Sequence, residues 1–303
     1  MLDVCLLGTG GMMPLPNRYL TAAAYQCQGS TLLIDCGEGT QIAMRKAGLS
    51  FNPIDVICIT HEHGDHLFGL PGLLQSMANA ERTNALTIIC PQNVQCWISI
   101  MLKMQPALPF AVNFLVVKNN TETFTCGPYV ITAFKVNHKV TCYGYTVEVK
   151  RLPKFNVEKA KALPIPVKMW NLLQHGQTIE HEGVVYTPDM VMGDERKGIK
   201  VAYCTDTRPV PRLVENAMDA DLFICEAMYG DEEKVEDARQ KKHMMMSEAV
   251  DAANKANVKE LWLTHFSPSM PYPNNYIDNA RKVFANTKVV PDGMMTTIQF
   301  QDN

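Results

Sequence analysis

No apolar stretch in this 303-residue chain approaches the 18 residues that a membrane-spanning helix requires. The first residues, MLDVCLLGTGGMMP, lack the charged leader and long apolar core of a signal peptide. They read as a strand over 2–7 that enters a glycine-rich turn. The ten cysteines include no CxxC pair. That number would suit a disulfide scaffold only in a short secreted chain. Most sit in apolar runs such as VCLLG, VICIT and FICEA, where a free thiol packs as a small hydrophobe. These absences point to the reducing cytoplasm and to no membrane partner. Excess positive charge is missing too: a net charge of −3 excludes a uniformly basic coat for nucleic acid but leaves room for a local basic patch. A hydrophobic content of 47 % over this length suffices for one large domain or two small ones.

Histidine is also scarce, yet three of the eight fall within six positions of VICITHEHGDHLFGL (56–70). The run IDVICIT reads as a buried strand. Imidazole and charge at the end of such a strand are costly unless paired, and a metal ion is the usual partner. His61 and His63, two apart, project to the same side of an extended segment. Asp65 and His66 follow Gly64, where the backbone turns freely.

The rest of the first half alternates strands, turns and helices. STLLIDCGEGTQIAMRKAG (30–48) reads as strand, acidic turn and helix ending at Gly48. LFGLPGLLQSMANAERT and NVQCWISIMLKM have helical spacing, while ALTIICP, FAVNFLVVK, ETFTCGPYVITAFKVNHK and CYGYTVEVK read as strands. Later, IKVAYCTDT, DLFICEAMY and KELWLTH are strands, KELWLTH being the last of the core. VPRLVENAM and SEAVDAANKANV are helices, the second capped by Ser247. Two sheets face to face with helices outside are therefore expected, an α+β arrangement, and the likeness of LLIDCGEG to VAYCTDTR hints at a duplicated half. Residues 150–200, Pro-punctuated and polar, read as an insertion into a single domain spanning 1–303. Between 150 and 168 this insertion holds six basic residues and one acidic. The plain reading of such a run is a solvated face.

Other apolar strands also end in ligand-type residues: Asp35 in LLIDCG, His138 in FKVNHK, Asp206 in VAYCTDT and His265 in LWLTHFS. Five histidines (61, 63, 66, 138, 265) with Asp65 and Asp206 are too many for one tetrahedral ion. They fit two ions that share a bridging carboxylate, and nitrogen with carboxylate oxygen suits zinc, with manganese or iron as alternatives. Two such ions activate a bridging water and clamp the oxygens of a displacement. Cys204, two before Asp206 on one strand face, can either approach a metal or pack in the core.

HxHxDH after an apolar strand, with later His, Asp and His, resembles the metallo-β-lactamase superfamily. The order GTGGMMPLPNRYLTA, LLIDCGEGTQ, ITHEHGDHLFGLPGLL, GYTVE, CTDTRP, HMMMSEA and LTHFS is similar to that of the ribonuclease Z family along nearly the whole chain. The resemblance implies a four-layer αββα sandwich. It implies one zinc ion on His61, His63 and His138, a second on Asp65, His66 and His265, and Asp206 between them. It also implies a homodimeric endonuclease that removes the 3′ trailer of precursor tRNA by hydroxide attack, leaving a tRNA 3′-OH and a 5′-phosphorylated trailer. The insertion lies where the family carries a flexible tRNA-binding arm, so Lys150, Arg151, Lys154, Lys159 and Lys161, with Arg18 of the opening loop, are expected to contact substrate. Asp65 is expected to act as general base, His243 to stabilise or protonate the reacting oxygens, Glu226 to orient His243, and Asp35 to accept from a ligand imidazole. Within the opening loop, Pro16 and Tyr19 depart from the family's pattern. The alternative is a hydrolase of small phosphodiesters or related esters on the same metals. A non-catalytic RNA- or protein-binding relative fits poorly with an intact ligand set and His243.

Overall fold

Continuous apolar runs become parallel strands buried on both faces. Leu222–Glu226 and Leu261–Thr264 are buried at every position, as expected where helices cover one face and a second sheet the other. The computed structural model describes residues 1–301. Its strands are β1 (Leu2–Gly8), β2 (Ala22–Cys27), β3 (Ser30–Ile34), β4 (Ile54–Cys58), β5 (Leu86–Pro91), β6 (Val112–Val117), β7 (Thr121–Cys126) and β8 (Tyr129–Lys135). There follow β9 (Tyr143–Arg151), β10 (Ile179–His181), β11 (Val184–Tyr186), β12 (Arg196–Cys204), β13 (Leu222–Glu226), β14 (Leu261–Thr264), β15 (Thr287–Val289) and β16 (Met294–Ile298). One seven-stranded sheet runs β16-β1-β2-β3-β4-β5-β6 and the other β15-β14-β13-β12-β9-β8-β7. Each is mixed, with β3 to β6 parallel in the first and β12 to β15 parallel in the second.

The sheets meet through buried tyrosines. Tyr129 donates its hydroxyl to the carbonyl of Tyr25, and Tyr145 donates to that of Ile59, at 3.0 and 2.8 Å. Outside the first sheet, Leu70–Asn79 buries Leu70, Leu73, Leu74 and Met77, a 3.6-residue stripe, against a core that includes Ile57 and Ile88. Outside the second, Met246–Lys255 does the same with Met246, Ala249, Val250 and Ala253. This is the four-layer α+β sandwich of the metallo-β-lactamase fold.

Two expectations change, and for Cys204 core packing holds. Ser247 lies inside its helix. The N-cap is Met245, whose own N–H donates to the Glu248 carboxylate at 2.9 Å. KELWLTH is not the last strand, because β15 and β16 follow. β16 is half-exposed, with alternate residues turned outward, and the weak pattern of MMTTI hides it; it joins β1 at the far edge of the first sheet. Cys204 is fully buried in the core of the second sheet and its helices, and it belongs to none of the groups of candidate ligands among the described residues. All ten cysteines are free, eight of them buried.

Contacts divide the chain into two units, residues 1–149 with 199–299, and residues 150–198 with Phe300 and Gln301. The second unit holds helices Val157–Lys161 and Val167–Gln174 and the β10–β11 hairpin. It has a small core of its own: Ala160, Ile165, Leu173, Ile179, Tyr186 and Val191. Asn156 caps the first helix by accepting from the Glu158 and Lys159 N–H groups. Among the described residues no helix is long and apolar enough to cross a membrane.

Candidate metal centre

Seven ligand-type side chains converge beyond the ends of strands from both sheets. His61 and His63 follow β4, and Asp65 and His66 lie on the short helix Gly64–Leu67. His138 follows β8, Asp206 follows β12 and His265 follows β14. Three residues that leave strand ends, Asp35, Asp206 and His265, have φ of 61°, 49° and 55°. Non-glycine residues adopt this left-handed region at a cost of about 1–3 kcal/mol, and here it turns each side chain abruptly out of its strand. Asp35 and Asp206 hold like places in the two sheets.

The distances define two lobes. In the first, His61 Nε2 and His138 Nε2 lie 2.9 and 3.3 Å from His63 Nδ1, and both lie 3.7 Å from Asp206 Oδ2. In the second, His66 Nε2 and His265 Nε2 are 3.1 Å apart. They lie 3.6 and 3.4 Å from Asp65 Oδ2, and 3.2 and 3.1 Å from Asp206 Oδ1. Asp206 thus turns one oxygen to each lobe. His138 Nδ1–H donates to the Lys242 carbonyl at 3.1 Å, and His66 Nδ1–H donates to Asp35 Oδ2 at 2.8 Å. Those bonds leave lone pairs on both Nε2 atoms, pointing inward. Asp206 Oδ1, buried, has no hydrogen-bond partner. The cage holds more lone pairs than protons, and a cation satisfies it. Such a set of nitrogen and carboxylate donors suits a divalent metal ion.

Electrostatics agree. Burial depresses the His61 and His138 pKa values, the latter to about 4, so both rings are neutral at pH 7 and able to offer a lone pair. Burial acts the same way on His66, but the Asp206, Asp35 and Asp65 carboxylates outweigh it and raise its pKa well above normal. The field at that point favours positive charge. Burial would raise the Asp65 carboxyl; His66 and His265 outweigh it and hold it well below the usual carboxylate range.

His243 stands at the rim, its ring stacked 5.6 Å from that of His265, with Nδ1 3.0 Å from Glu226 Oε2 and 3.8 Å from Asp206 Oδ2. It is close enough to Asp206 and His265 to serve as a ligand. Burial disfavours its charge, but the fully buried Glu226 outweighs burial and raises its pKa to about 9.

Several residues in the site were not singled out by sequence. Arg208 donates to the His243 carbonyl at 2.6 Å and grips Glu248 with both guanidinium nitrogens. Its only signal was its place in CTDTRP. The Met12 N–H donates to Asp65 Oδ2 at 2.7 Å, and Asp292, near the chain's end, holds the opening loop through the N–H groups of Thr9 and Tyr19. The expected substrate residues are scattered. Arg18 is engaged with the carbonyls of Met270 and Pro271. Lys150 and Lys154 are exposed, Lys159 donates to the Met192 carbonyl, Lys161 pairs with Glu158, and Arg151 donates to the Gln301 carbonyl. Arg151 and Lys154 also line a cavity of about 280 Å³ with Arg196, Lys197, Asp194 and Glu195. Residues 150–198 hold eight basic and six acidic side chains, so the excess of positive charge is confined to 150–168.

A family model described as Beta-lactamase superfamily domain matches residues 30–266. The ribonuclease Z of Lachnoclostridium phytofermentans is 54 % identical over 303 residues, covering all of both chains. The chain belongs to the ribonuclease Z family. It is accordingly a metal-dependent hydrolase. Among solved structures, the short form of human tRNase Z is similar with a TM-score of 0.69 at 24 % identity, covering 98 % of this chain and 99 % of that one. A diphosphatase of the PhnP family is similar with a TM-score of 0.68 at 17 % identity, covering 99 % of each. At such identities these two likenesses establish the fold alone.

Proposed function

We propose that this chain is a two-zinc endoribonuclease that cuts the 3′ trailer from precursor tRNA, leaving a 3′-OH on the tRNA, and that it works as a homodimer. The end-to-end identity of 54 % with a ribonuclease Z carries this reading. His61, His63 and His138 would hold one ion, Asp65, His66 and His265 the other, and Asp206 both. When bound, such a pair supplies a water acidified toward neutral pH and positive charge for the phosphate oxygens. Asp65, fixed by the Met12 N–H, takes the proton of the attacking water at its carboxylate. His243, whose Nδ1–H is held by Glu226, gives a proton from Nε2 to the departing 3′ oxygen. Glu226 also accepts from the Thr207 N–H, which fixes the carboxylate and through it the ring.

Residues 150–198 act as the substrate arm. Lys150, Lys154 and their neighbours contact phosphates, and such contacts weaken as salt rises. The alternative, a hydrolase of small phosphodiesters, has the same metal chemistry and needs no arm. The deciding experiment offers the enzyme a precursor tRNA with a 3′ trailer and, separately, bis-p-nitrophenyl phosphate. Cleavage at the trailer junction supports the reading; hydrolysis of the ester with the tRNA left intact refutes it.

A further inference from the structure

Thr60, fully buried, sits between the end of β4 and His61. Its Oγ1 lies 2.9 and 3.0 Å from the two Asp35 oxygens, 2.9 Å from His61 Nδ1 and 3.4 Å from His66 Nδ1. An ionised carboxylate only accepts, so the hydroxyl's single proton goes to Asp35. The hydroxyl's lone pairs then accept the Nδ1–H of His61. Cys142 Sγ, 3.6 Å from the same nitrogen, is a weak acceptor by comparison. With its proton on Nδ1, His61 presents a lone pair at Nε2 to the first lobe. Asp35 meanwhile accepts directly from His66 Nδ1 in the second lobe, from the Thr60 N–H at 2.8 Å and from the Tyr203 hydroxyl at 3.4 Å.

We infer that Thr60 is a positioning residue which ties the two lobes together: its hydroxyl connects His61 of one to the Asp35 carboxylate that orients His66 of the other. The inference rests on the two-ion reading above. One carboxylate then sets the tautomer and aim of an imidazole in each lobe, directly for His66 and through Thr60 for His61. Loosening either member disturbs both ions, and once the link is broken at one member, breaking it at the other adds little.

The test is a double-mutant cycle on zinc affinity. Metal-free wild type, Thr60→Val, Asp35→Asn and the double variant are titrated with zinc against a chromophoric chelator. Thr60→Val keeps the shape and removes the hydroxyl. Outer partners of metal ligands are typically worth about 10- to 100-fold in affinity, so each single variant should lose that much. The double variant should lose far less than the product of the two, because members of one network are not additive. Thr60→Ser, which keeps the hydroxyl, should bind zinc like the wild type. Losses that multiply, or a Thr60→Val chain with wild-type affinity, overturn the inference. Nitrogen-15 NMR of the zinc-loaded wild type gives a reading that does not depend on any variant folding. A proton on His61 Nδ1 is expected, and one on Nε2 overturns the link. Uptake of a single ion by the wild type would instead overturn the two-ion reading, and that is seen before any variant is compared.

Discussion

Gly11→Ala is a small change aimed at one lobe. A Cβ at Gly11 would stand 2.6 Å from His265 Cε1, 2.8 Å from Nδ1 and 2.9 Å from Nε2. Carbon contacts settle at roughly 3.5–4.0 Å, so ring or loop must yield by about 1 Å. The ring is fully buried and its Nε2 lies 3.1 Å from both His66 Nε2 and Asp206 Oδ1. Metal–ligand distances tolerate only about 0.2 Å. If the loop moves instead, the Gly11 N–H leaves the Phe266 carbonyl, and the Met12 N–H leaves Asp65 Oδ2. Asp65 belongs to the same lobe as His265, so either response falls on that lobe. Overpacking of this kind costs about 1–3 kcal/mol, which is about 5- to 150-fold in affinity for one ion. The lobe of His61, His63 and His138 should keep its ion. Zinc titration against a chromophoric chelator, read beside kcat on precursor tRNA, should show one weakened ion, one normal ion and a reduced rate. Two ions bound as tightly as in the wild type, with an unchanged rate, would refute the packing argument.

His243→Ala should lower kcat by about 10²- to 10⁴-fold, the usual worth of a positioned proton donor, with zinc content unchanged; loss of an ion would make His243 a ligand instead. Arg208→Met removes the clamp on the His243 carbonyl and on Glu248. It should cost about 2–3 kcal/mol in urea unfolding, since hydrogen bonds to charged groups are worth about that much, and should slow turnover with metal retained. Unchanged stability and rate would show those contacts to be idle. Replacing 151–185 by a short Gly/Ser bridge should raise KM for precursor tRNA and spare hydrolysis of bis-p-nitrophenyl phosphate. Wild-type tRNA processing across a range of salt would reduce the arm to a solvated loop.

The layers of the fold were legible because parallel strands such as IKVAYC and LFICE are apolar throughout and stop abruptly at a polar residue. The same feature marked the candidate ligands. His61, His63, Asp65 and His66 sit beside one another in sequence, and Asp206 and His265 each close an apolar run, so the strand ends named them before any coordinates. Features that depend on partners distant in the chain were not legible. Asp292 reaches Thr9 across 283 positions, and Arg208 reaches Glu248 across 40. Thr60 reads as one more β-branched strand residue until Asp35 is seen beside it. β16 was missed because an edge strand with one exposed face has a pattern too weak to separate from a loop. Within the arm, Asp194 and Glu195 lie 40 or more positions after Lys154 yet share a cavity with it and with Arg151, a nearness that the order of residues does not reveal.

The claim on which the rest depends is that Asp206 serves two ions at once, one oxygen turned to each lobe. Metal analysis of protein purified without chelators tests it most directly. Close to two zinc ions per folded chain are predicted, falling together when Asp206 is changed to Ala. A folded, tRNA-cleaving wild type that carries one ion or none would contradict it.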